Sequence, residues 1–270
     1  MSDVLASRTP FGGVPARPLF DVRDIGKSFG GIHAVRSVSF ELDEGIVFAI
    51  IGPNGAGKST LLNLLSGNYQ PDTGSLTFDG VDLAGMPAYR RARLGIARTF
   101  QKIRLFKHLT VLENVIAGFH IHRQVPIWEY VWPSRVSLAD RRRWREEAQE
   151  LLSFVRLSDR ADAIAGSLAY GQQRMLEIAR ALATRPRLFM LDEPAAGLNN
   201  AEASFLLERL DILRQRRMTV ILVEHNMDLV MNVADRIFVL ETGQKLFTGT
   251  PAEVQRDPAV IAAYLGEELH

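Results

Sequence analysis

The sequence predicts an α/β fold, in which short buried strands alternate with helices around a ligand-binding edge. Three apolar runs have the length of buried strands, at 46–51, 188–191 and 219–223. The first run leads into a glycine-rich stretch, 52–60, which a leucine-rich helical segment follows at once. The second run ends in two adjacent carboxylates. Because open α/β sheets bind ligands at the carboxyl ends of their strands, we expect a functional site there.

The glycine-rich stretch has the pattern G-x-x-x-x-G-K-[ST], which predicts a nucleotide triphosphate site. Its nine residues are Gly52, Pro53, Asn54, Gly55, Ala56, Gly57, Lys58, Ser59 and Thr60. Glycines let successive backbone N–H groups point at phosphate oxygens, and the start of the next helix adds unpaired donors and a positive dipole end. Lys58 is placed to reach the β- and γ-phosphates and Ser59 to ligate Mg²⁺. The alternative is a glycine-rich turn that matches by chance.

The composition is that of an ordinary globular protein and excludes several classes of function. Of the 270 residues, 47% are hydrophobic and 23% charged, and the net charge of +1 gives no electrostatic case for nucleic-acid binding. The absence of cysteine excludes disulfides and cysteine-based metal or nucleophile chemistry. No apolar run approaches the roughly 18 residues of a membrane helix, and none resembles a secretory signal. We therefore expect a soluble protein that reaches a membrane only through a partner.

The N-terminal part predicts a loose arm followed by strands. Residues 1–18 combine prolines with a glycine pair and little periodicity, which is typical of a disordered or loosely packed arm. Two strands are expected at about 20–25 and 35–42, and a hairpin strand at 74–80. Phe29 lies in the loop between the first two strands, so its ring either stacks on a nucleotide base or belongs to the core. The residues around it favour neither interpretation.

The middle of the chain predicts an all-helical insertion, which begins near residue 102. A short helix at 87–94 precedes it, with an arginine cluster around Arg91 that we expect to be a solvated face. Apolar residues with helical spacing then fill 110–119 and 139–155, and an irregular segment with two tryptophans, 120–138, separates them. The arginines of the second helix, 141–143 and 145, lie beside Glu146 and Glu147, and these mixed charges favour a solvated face over a lipid-headgroup contact.

Polar residues at strand ends predict the chemistry. Asp192 and Glu193 end a buried strand, so Asp192 can hold a metal and Glu193 can polarise an attacking water. His225 follows the next buried strand and Gln101 follows a short strand at 95–100, although each is also compatible with a surface role. A second helix opens near Gly171 and suits an anion only weakly.

Taken together, the chain from about residue 19 to 266 resembles the ATP-binding subunit of an ABC transporter. The elements that carry the resemblance follow the family's order: Phe29, 52–60, Gln101, the signature loop Ala169-Tyr170-Gly171-Gln172, Asp192-Glu193, 195–199 and His225. The resemblance implies a single domain with a P-loop NTPase core of mixed or parallel strands, an antiparallel β subdomain and an all-helical insertion at about 102–184.

The resemblance also implies the role of each motif. Phe29, the phosphate loop and the signature loop contact ATP, while Ser59, Gln101 and Asp192 surround Mg²⁺. Glu193, His225 and Gln101 form the catalytic group. Two ATPase subunits are expected to close on two ATP molecules, each held between one subunit's phosphate loop and the other's signature loop. Here the usual signature Leu-Ser-Gly-Gly-Gln is Leu168-Ala-Tyr-Gly-Gln172, so the serine hydroxyl is missing and binding must depend on backbone N–H groups and the helix dipole.

The motifs look most like the ATPase subunits of bacterial branched-chain amino-acid uptake systems. The segments that carry this narrower resemblance are 98–101, 104–106, 168–174, 176–180, 191–199 and 263–267, together with the insertion at 120–138. It implies a peripheral ATPase at the cytoplasmic face of the inner membrane, with permease subunits, a second copy or a sister ATPase, and indirectly a solute-binding protein as partners. Uptake systems for urea, amides or aromatic acids are close competitors.

Two other classes of protein fit the sequence less well than a transporter ATPase. A non-transport ABC ATPase acting on DNA would carry a long coiled coil, but no sustained heptads lie between residues 60 and 167. One acting on the ribosome would usually carry two cassettes, but one phosphate loop is present. An ATP-binding regulator without turnover would not need both Glu193 and His225.

Overall fold

The structure is a computed structural model that describes residues 18–122 and 135–265. The predicted N-terminal arm, apart from residue 18, lies outside the described residues, and so do Trp128 and Trp132 of the predicted irregular segment. No helix within the described ranges is long and apolar enough to cross a membrane.

The described residues form two sheets and several helices. The strands are β1 (Phe20–Phe29), β2 (Ile32–Leu42), β3 (Val47–Ile51), β4 (Thr73–Phe78), β5 (Val81–Asp82), β6 (Ile96–Arg98), β7 (Leu188–Asp192), β8 (Thr219–Val223), β9 (Arg236–Glu241) and β10 (Gln244–Gly249). The α-helices are α1 (Lys58–Ser66), α2 (Ala88–Arg93), α3 (Val111–Phe119), α4 (Arg135–Phe154), α5 (Tyr170–Ala183), α6 (Asn200–Gln215), α7 (Met227–Val233), α8 (Pro251–Val254) and α9 (Pro258–Leu265).

The six-stranded sheet has the order β10-β9-β3-β8-β7-β6 and confirms the predicted α/β fold. Five of its strands are parallel, and β10 pairs antiparallel with β9 at the edge. The predicted runs become β3, β7 and β8, whose residues are all buried. Because these three strands are adjacent and parallel, their carboxyl ends meet at one edge, where the predicted site residues follow.

The second sheet is antiparallel, with the order β2-β1-β4-β5. The expected loop around Phe29 is wrong, because β1 continues through Phe29 and β2 begins at Ile32. Gly30 and Gly31 both have positive φ, at 52° and 87°, which suits a two-residue hairpin turn and lets both strands run up to it.

The two faces of the six-stranded sheet pack against different layers, because successive strand residues point to opposite sides. On one face, Phe48 and Ile50 of β3 share a hydrophobic cluster with α1 and the antiparallel sheet. On the other face, Phe189 and Leu191 of β7 share a cluster with α3, α4 and α5. The helices between β6 and β7 therefore pack on the sheet itself. The bounds of the insertion, 102–184, stay a prediction.

Arg91 contradicts the expected solvated face, because it is fully buried. Its guanidinium donates to the carbonyl oxygens of Leu64 and Leu65 at the end of α1, at 2.7 and 3.0 Å, and to the carbonyls of Leu83 and Met86. Burial lowers the pKa of Arg91 to about 10. The reason for burial is that the last carbonyls of α1 lack helical partners and carry the negative end of the dipole. Arg91 thus anchors the far end of the phosphate-loop helix.

Candidate functional site

The phosphate loop connects β3 to α1 through a path that only glycine permits at two positions. Gly52 has φ +151° and Gly57 has φ +101°. A Cβ at Gly52 would lie 2.0 Å from the carbonyl oxygen of Leu240, and a Cβ at Gly57 would lie 2.3 Å from that of Ala34. The carbonyl oxygens of Leu240 and Ala34 therefore pack closely against the loop at these two glycines. The N–H groups of the loop and of the start of α1 are the donors expected to bind an anion.

Lys58 is the buried cation of this loop, with 5% of its surface exposed. Its ammonium donates to the carbonyl oxygens of Gly52 and Pro53, at 2.5 and 2.8 Å. These bonds hold the charge over the loop rather than in solvent. Because ammonium–phosphate hydrogen bonds are charge-assisted, an anion in the loop can replace the carbonyl partners.

Glu193 brings three predicted residues together at the carboxyl edge of the sheet. One of its oxygens lies 2.9 Å from Nε2 of His225, and the other accepts a hydrogen bond of 2.8 Å from the side-chain amide of Gln101. Glu193 follows β7, His225 lies two residues beyond β8, and Gln101 lies three beyond β6. Side chains from three strand ends therefore converge on one carboxylate, which is the arrangement that positions a water molecule.

The backbone of Glu193 is itself unusual. Its φ is +46°, a left-handed conformation that costs a residue with a side chain about 1–3 kcal/mol. Two hydrogen bonds hold it there: Glu193 donates to the carbonyl of Val223 at 2.9 Å, and Ala196 donates to the carbonyl of Glu193 at 3.1 Å. The strain turns the carboxylate away from the strand direction and towards His225 and Gln101.

Asp192 lies beside Glu193 but has a different partner, Arg98, which sequence reasoning missed. The two side chains form a buried ion pair of 2.8 Å. Arg98 also donates to Asn63 and Ser66 of α1, at 2.7 and 2.9 Å. The pair ties the carboxylate to the phosphate-loop helix. An arginine inside a short strand that leads to Gln101 was the available signal.

The donors near Asp192 fit Mg²⁺ held together with phosphate. Ser59 in the first turn of α1 offers a hydroxyl, Gln101 an amide oxygen and Asp192 a carboxylate, all of them hard oxygen donors. The described residues contain no group of three or more His, Cys, Asp and Glu side chains that could hold a metal ion. Mg²⁺ bound with phosphates usually keeps several waters and takes few protein ligands.

The loop around Gln101 is held by helix α5, whose first turn is the signature loop. Arg174 donates to the carbonyl oxygens of Phe100 and Gln101, at 2.7 and 2.8 Å. Its ion-pair partner Glu177, at 2.9 Å, accepts a hydrogen bond of 3.1 Å from the backbone N–H of Arg104. Burial raises the pKa of Glu177, while these bonds oppose the shift. The clamp joins Gln101 to α5, and sequence periodicity gave no sign of it.

The signature loop lies at the start of α5 without a side-chain cap, because Ala169 has no polar atom. Tyr170 is 46% exposed, and its ring lies close to Gly197, where a Cβ would come within 3.0 Å of it. A Cβ at Gly171 would lie 2.1 Å from a carboxylate oxygen of Glu202. Within the chain, this loop therefore contacts the segment that follows Glu193.

Phe29 is not a core residue, since 43% of it is exposed. The ring of Tyr69 meets it edge-on, with centroids 5.3 Å apart, and the ammonium of Lys27 lies 5.7 Å from its centroid. This leaves part of the Phe29 ring accessible to a flat ligand, and stacking on a base stays a prediction.

Comparison with known proteins gives the family. The family model described as ABC transporter matches residues 35–196, and the model described as branched-chain amino acid ATP-binding cassette transporter matches residues 244–270. The high-affinity branched-chain amino acid transport ATP-binding protein BraF of Pseudomonas aeruginosa is 44% identical over 253 residues, which cover 93% of this chain and 99% of the relative.

Two solved structures extend the comparison. An ATP-binding cassette of an ABC transporter in its ADP conformation superposes with a TM-score of 0.78 at 33% identity, covering 92% of this chain and 99% of that one. The dimeric post-hydrolysis state of a second cassette, bound to ADP and Pi, superposes with a TM-score of 0.73 at 25% identity, covering 86% of this chain and 98% of that one.

Proposed function

Because the chain belongs to the ABC transporter family of ATP-binding cassettes, we propose that it is the ATP-hydrolysing subunit of a bacterial importer for branched-chain amino acids. The meeting of Gln101 and His225 on the Glu193 carboxylate, at the same sheet edge as the phosphate loop, carries the proposal of hydrolysis. The printed name of the BraF relative and the C-terminal family model support the substrate class.

In the proposed mechanism, the phosphate loop binds ATP through its N–H groups while Lys58 exchanges its carbonyl partners for β- and γ-phosphate oxygens. Ser59, Asp192 and Gln101 would hold Mg²⁺, which would supply positive charge beside the triphosphate. Arg98 ties the Asp192 carboxylate to α1, the helix that also carries Ser59. Phe29 stacks on the base.

Glu193 orients the attacking water and takes its proton as the water oxygen bonds to the γ-phosphorus and the bond to the β–γ bridging oxygen breaks, which releases ADP and phosphate. His225, whose Nε2 lies 2.9 Å from the Glu193 carboxylate, exchanges this partner for an oxygen of the γ-phosphate when ATP is bound. Gln101 contributes its amide to the same carboxylate.

The proposal assigns the closing face of each site to the signature loop of another ATPase subunit, either a second copy or a sister chain. The backbone N–H groups at the start of α5 and the positive end of its dipole suit a γ-phosphate. The dimeric relative with ADP and Pi supports this assembly. ATP then acts as a link between subunits, since the charge-assisted bonds disappear when the γ-phosphate leaves.

The permease is proposed to dock on an exposed apolar patch next to the Gln101 loop. Phe106, Leu109 and Ile164 are 53%, 39% and 47% exposed. They form one surface, because Ala165 donates to the carbonyl of Leu109 at 2.9 Å and Thr110 pairs with Ile164. Exposed apolar patches on a globular domain commonly mark a partner site. Such docking would put the chain at the cytoplasmic face of the inner membrane.

Purification of the chain from detergent-solubilised bacterial membranes tests the proposal. We expect permease subunits and a second ATPase subunit to co-purify, and leucine, isoleucine or valine with a solute-binding protein to stimulate ATP hydrolysis in proteoliposomes. Stimulation by urea, amides or aromatic acids instead would contradict the substrate class. Recovery without a permease, and without any ATPase activity, would contradict the transporter role.

A further inference from the structure

Glu224 is a buried carboxylate to which the proposed mechanism gives no role. It follows β8 directly, with 3% of its surface exposed. One oxygen accepts a hydrogen bond of 2.7 Å from the backbone N–H of Ala195. The other accepts from the N–H groups of His225 and Asn226, at 3.0 and 3.3 Å. One side chain therefore holds two loops that come from different strands.

The residue type follows from this double contact. Burying a carboxylate is costly unless hydrogen bonds replace its hydration, and three backbone donors do so here. No lysine, arginine or histidine side chain of the described ranges forms an ion pair with Glu224. Glutamine could offer only one acceptor oxygen, and a hydroxyl would be too short. The carboxylate presents one acceptor oxygen to each loop, whereas a glutamine would turn its NH₂ donor towards one of them.

Both loops lead to the same catalytic contact. Ala195 lies two residues after Glu193, and His225 is the residue whose ring meets the Glu193 carboxylate at 2.9 Å. The backbones on both sides of that contact are thus bound to one carboxylate. The loop at 195–199 also carries Gly197, against which Tyr170 of the signature loop lies.

We propose that Glu224 is a positioning residue that sets the Glu193–His225 contact and connects it, through Ala195 and Gly197, to the signature loop of the same chain. This inference rests on the proposed function. Movement of Tyr170 when a second subunit arrives would shift the 195–199 loop, and Glu224 would pass the shift to His225. The site would then be aligned for hydrolysis only when the signature loop is engaged.

The substitution Glu224→Gln tests the proposal in the purified transporter complex. It removes one acceptor oxygen at nearly constant volume, so one loop loses its hydrogen bond. We expect kcat to fall at least tenfold, while the affinity of the isolated chain for ATP changes less than twofold. The matched control is Glu253→Gln, which removes another carboxylate that accepts a backbone N–H, from Thr250, outside the site and outside the proposed docking patch. The control should keep the wild-type kcat.

A double-mutant cycle separates positioning from general weakening of the fold. If Glu224 acts through His225, then Glu224→Gln should cost less than twofold in kcat when added to His225→Ala. Losses that multiply would overturn the proposal, and so would a wild-type kcat in Glu224→Gln. An equal loss of ATP affinity and kcat would also overturn it, because that result indicates structural damage alone.

Hydrogen exchange of the wild-type chain gives a further test. It requires no enzymatic assay and no substituted protein. The amides of Ala195, His225 and Asn226 should exchange at rates within about threefold of one another, as expected for one opening unit. Exchange of Ala195 more than tenfold faster than that of His225 would overturn the link. A transporter without ATPase activity would refute the proposed function but leave this exchange result standing.

Discussion

Two helix starts in this chain suit a phosphate, and they are built differently. The start of α1 has Lys58 inside its loop and Asp192 tied to its helix through Arg98. The start of α5 has no side-chain cap, and a carboxylate, Glu202, lies beside Gly171. The first start carries its own cation and a nearby carboxylate, whereas the second offers backbone N–H groups and the helix dipole. The difference agrees with the proposal that α5 closes on a phosphate held by the lysine-bearing loop of another ATPase subunit.

The two starts are also anchored differently. Buried Arg91 binds the carbonyl groups at the far end of α1. The phosphate loop that precedes α1 packs against the backbone of Ala34 and Leu240. The first turn of α5 instead reaches the catalytic group through side chains, with Arg174 binding the carbonyl of Gln101. Backbone contacts of the core therefore hold the α1 start, whereas buried side chains join the α5 start to the Gln101 loop.

The largest expected effect comes from removing the catalytic carboxylate near α1. Glu193→Gln should lower kcat by about 10²–10⁴-fold, since the amide cannot accept the water's proton. ATP affinity should be retained, and the closed pair of subunits should accumulate with ATP. Steady-state ATPase rates and size-exclusion chromatography with light scattering measure both effects. Wild-type turnover in this variant would refute the role of Glu193.

The next largest effect is expected from removing Lys58, the cation at the start of α1. Lys58→Ala should weaken binding of ATP to the isolated chain about a hundredfold, because it deletes charge-assisted bonds worth about 2.7 kcal/mol. Isothermal titration calorimetry measures the affinity, with Lys245→Ala on the exposed edge strand β10 as the control. Unchanged affinity in Lys58→Ala would show that the loop binds phosphate without its lysine.

Of these three residues, Phe29 should contribute least to nucleotide binding. Phe29→Ala should weaken binding of ATP and of GTP alike by about tenfold, since stacking is worth about 1–3 kcal/mol and tolerates any base. Fluorescence titrations with both nucleotides measure the effect, and Phe29→Trp should keep the affinity. A loss confined to one of the two nucleotides would indicate recognition of base edges instead of stacking.

The sequence was sufficient for the architecture because the architecture depends on local patterns. Five-residue apolar strands predict a buried parallel sheet, and adjacent parallel strands must bring their ends together, which is how Glu193 and His225 meet. The loop predicted around Phe29 is wrong because two consecutive glycines suit a two-residue turn. Such a turn lets both strands of the hairpin run up to it.

The buried polar contacts around the site could not be predicted from the sequence. Arg91, Arg98, Arg174 and Glu224 look like surface residues by composition, yet each is bound to groups far away in the chain. Arg91, Arg174 and Glu224 bind mainly to backbone groups, which leave no mark on hydrophobic periodicity. Such residues become visible only when the fold shows which carbonyl or N–H groups lack a partner.

The substitution Ala169→Asp tests most directly whether the two helix starts serve different nucleotides. Aspartate is a good N-cap, so it should stabilise α5, but its charge should repel a γ-phosphate brought by another subunit. We expect an unchanged or higher melting temperature, unchanged ATP affinity of the isolated chain and at least a tenfold lower ATPase rate of the assembled complex. Ala169→Asn is the neutral control and should keep the rate. A loss of ATP affinity in the isolated Ala169→Asp chain comparable to that of Lys58→Ala would contradict the account.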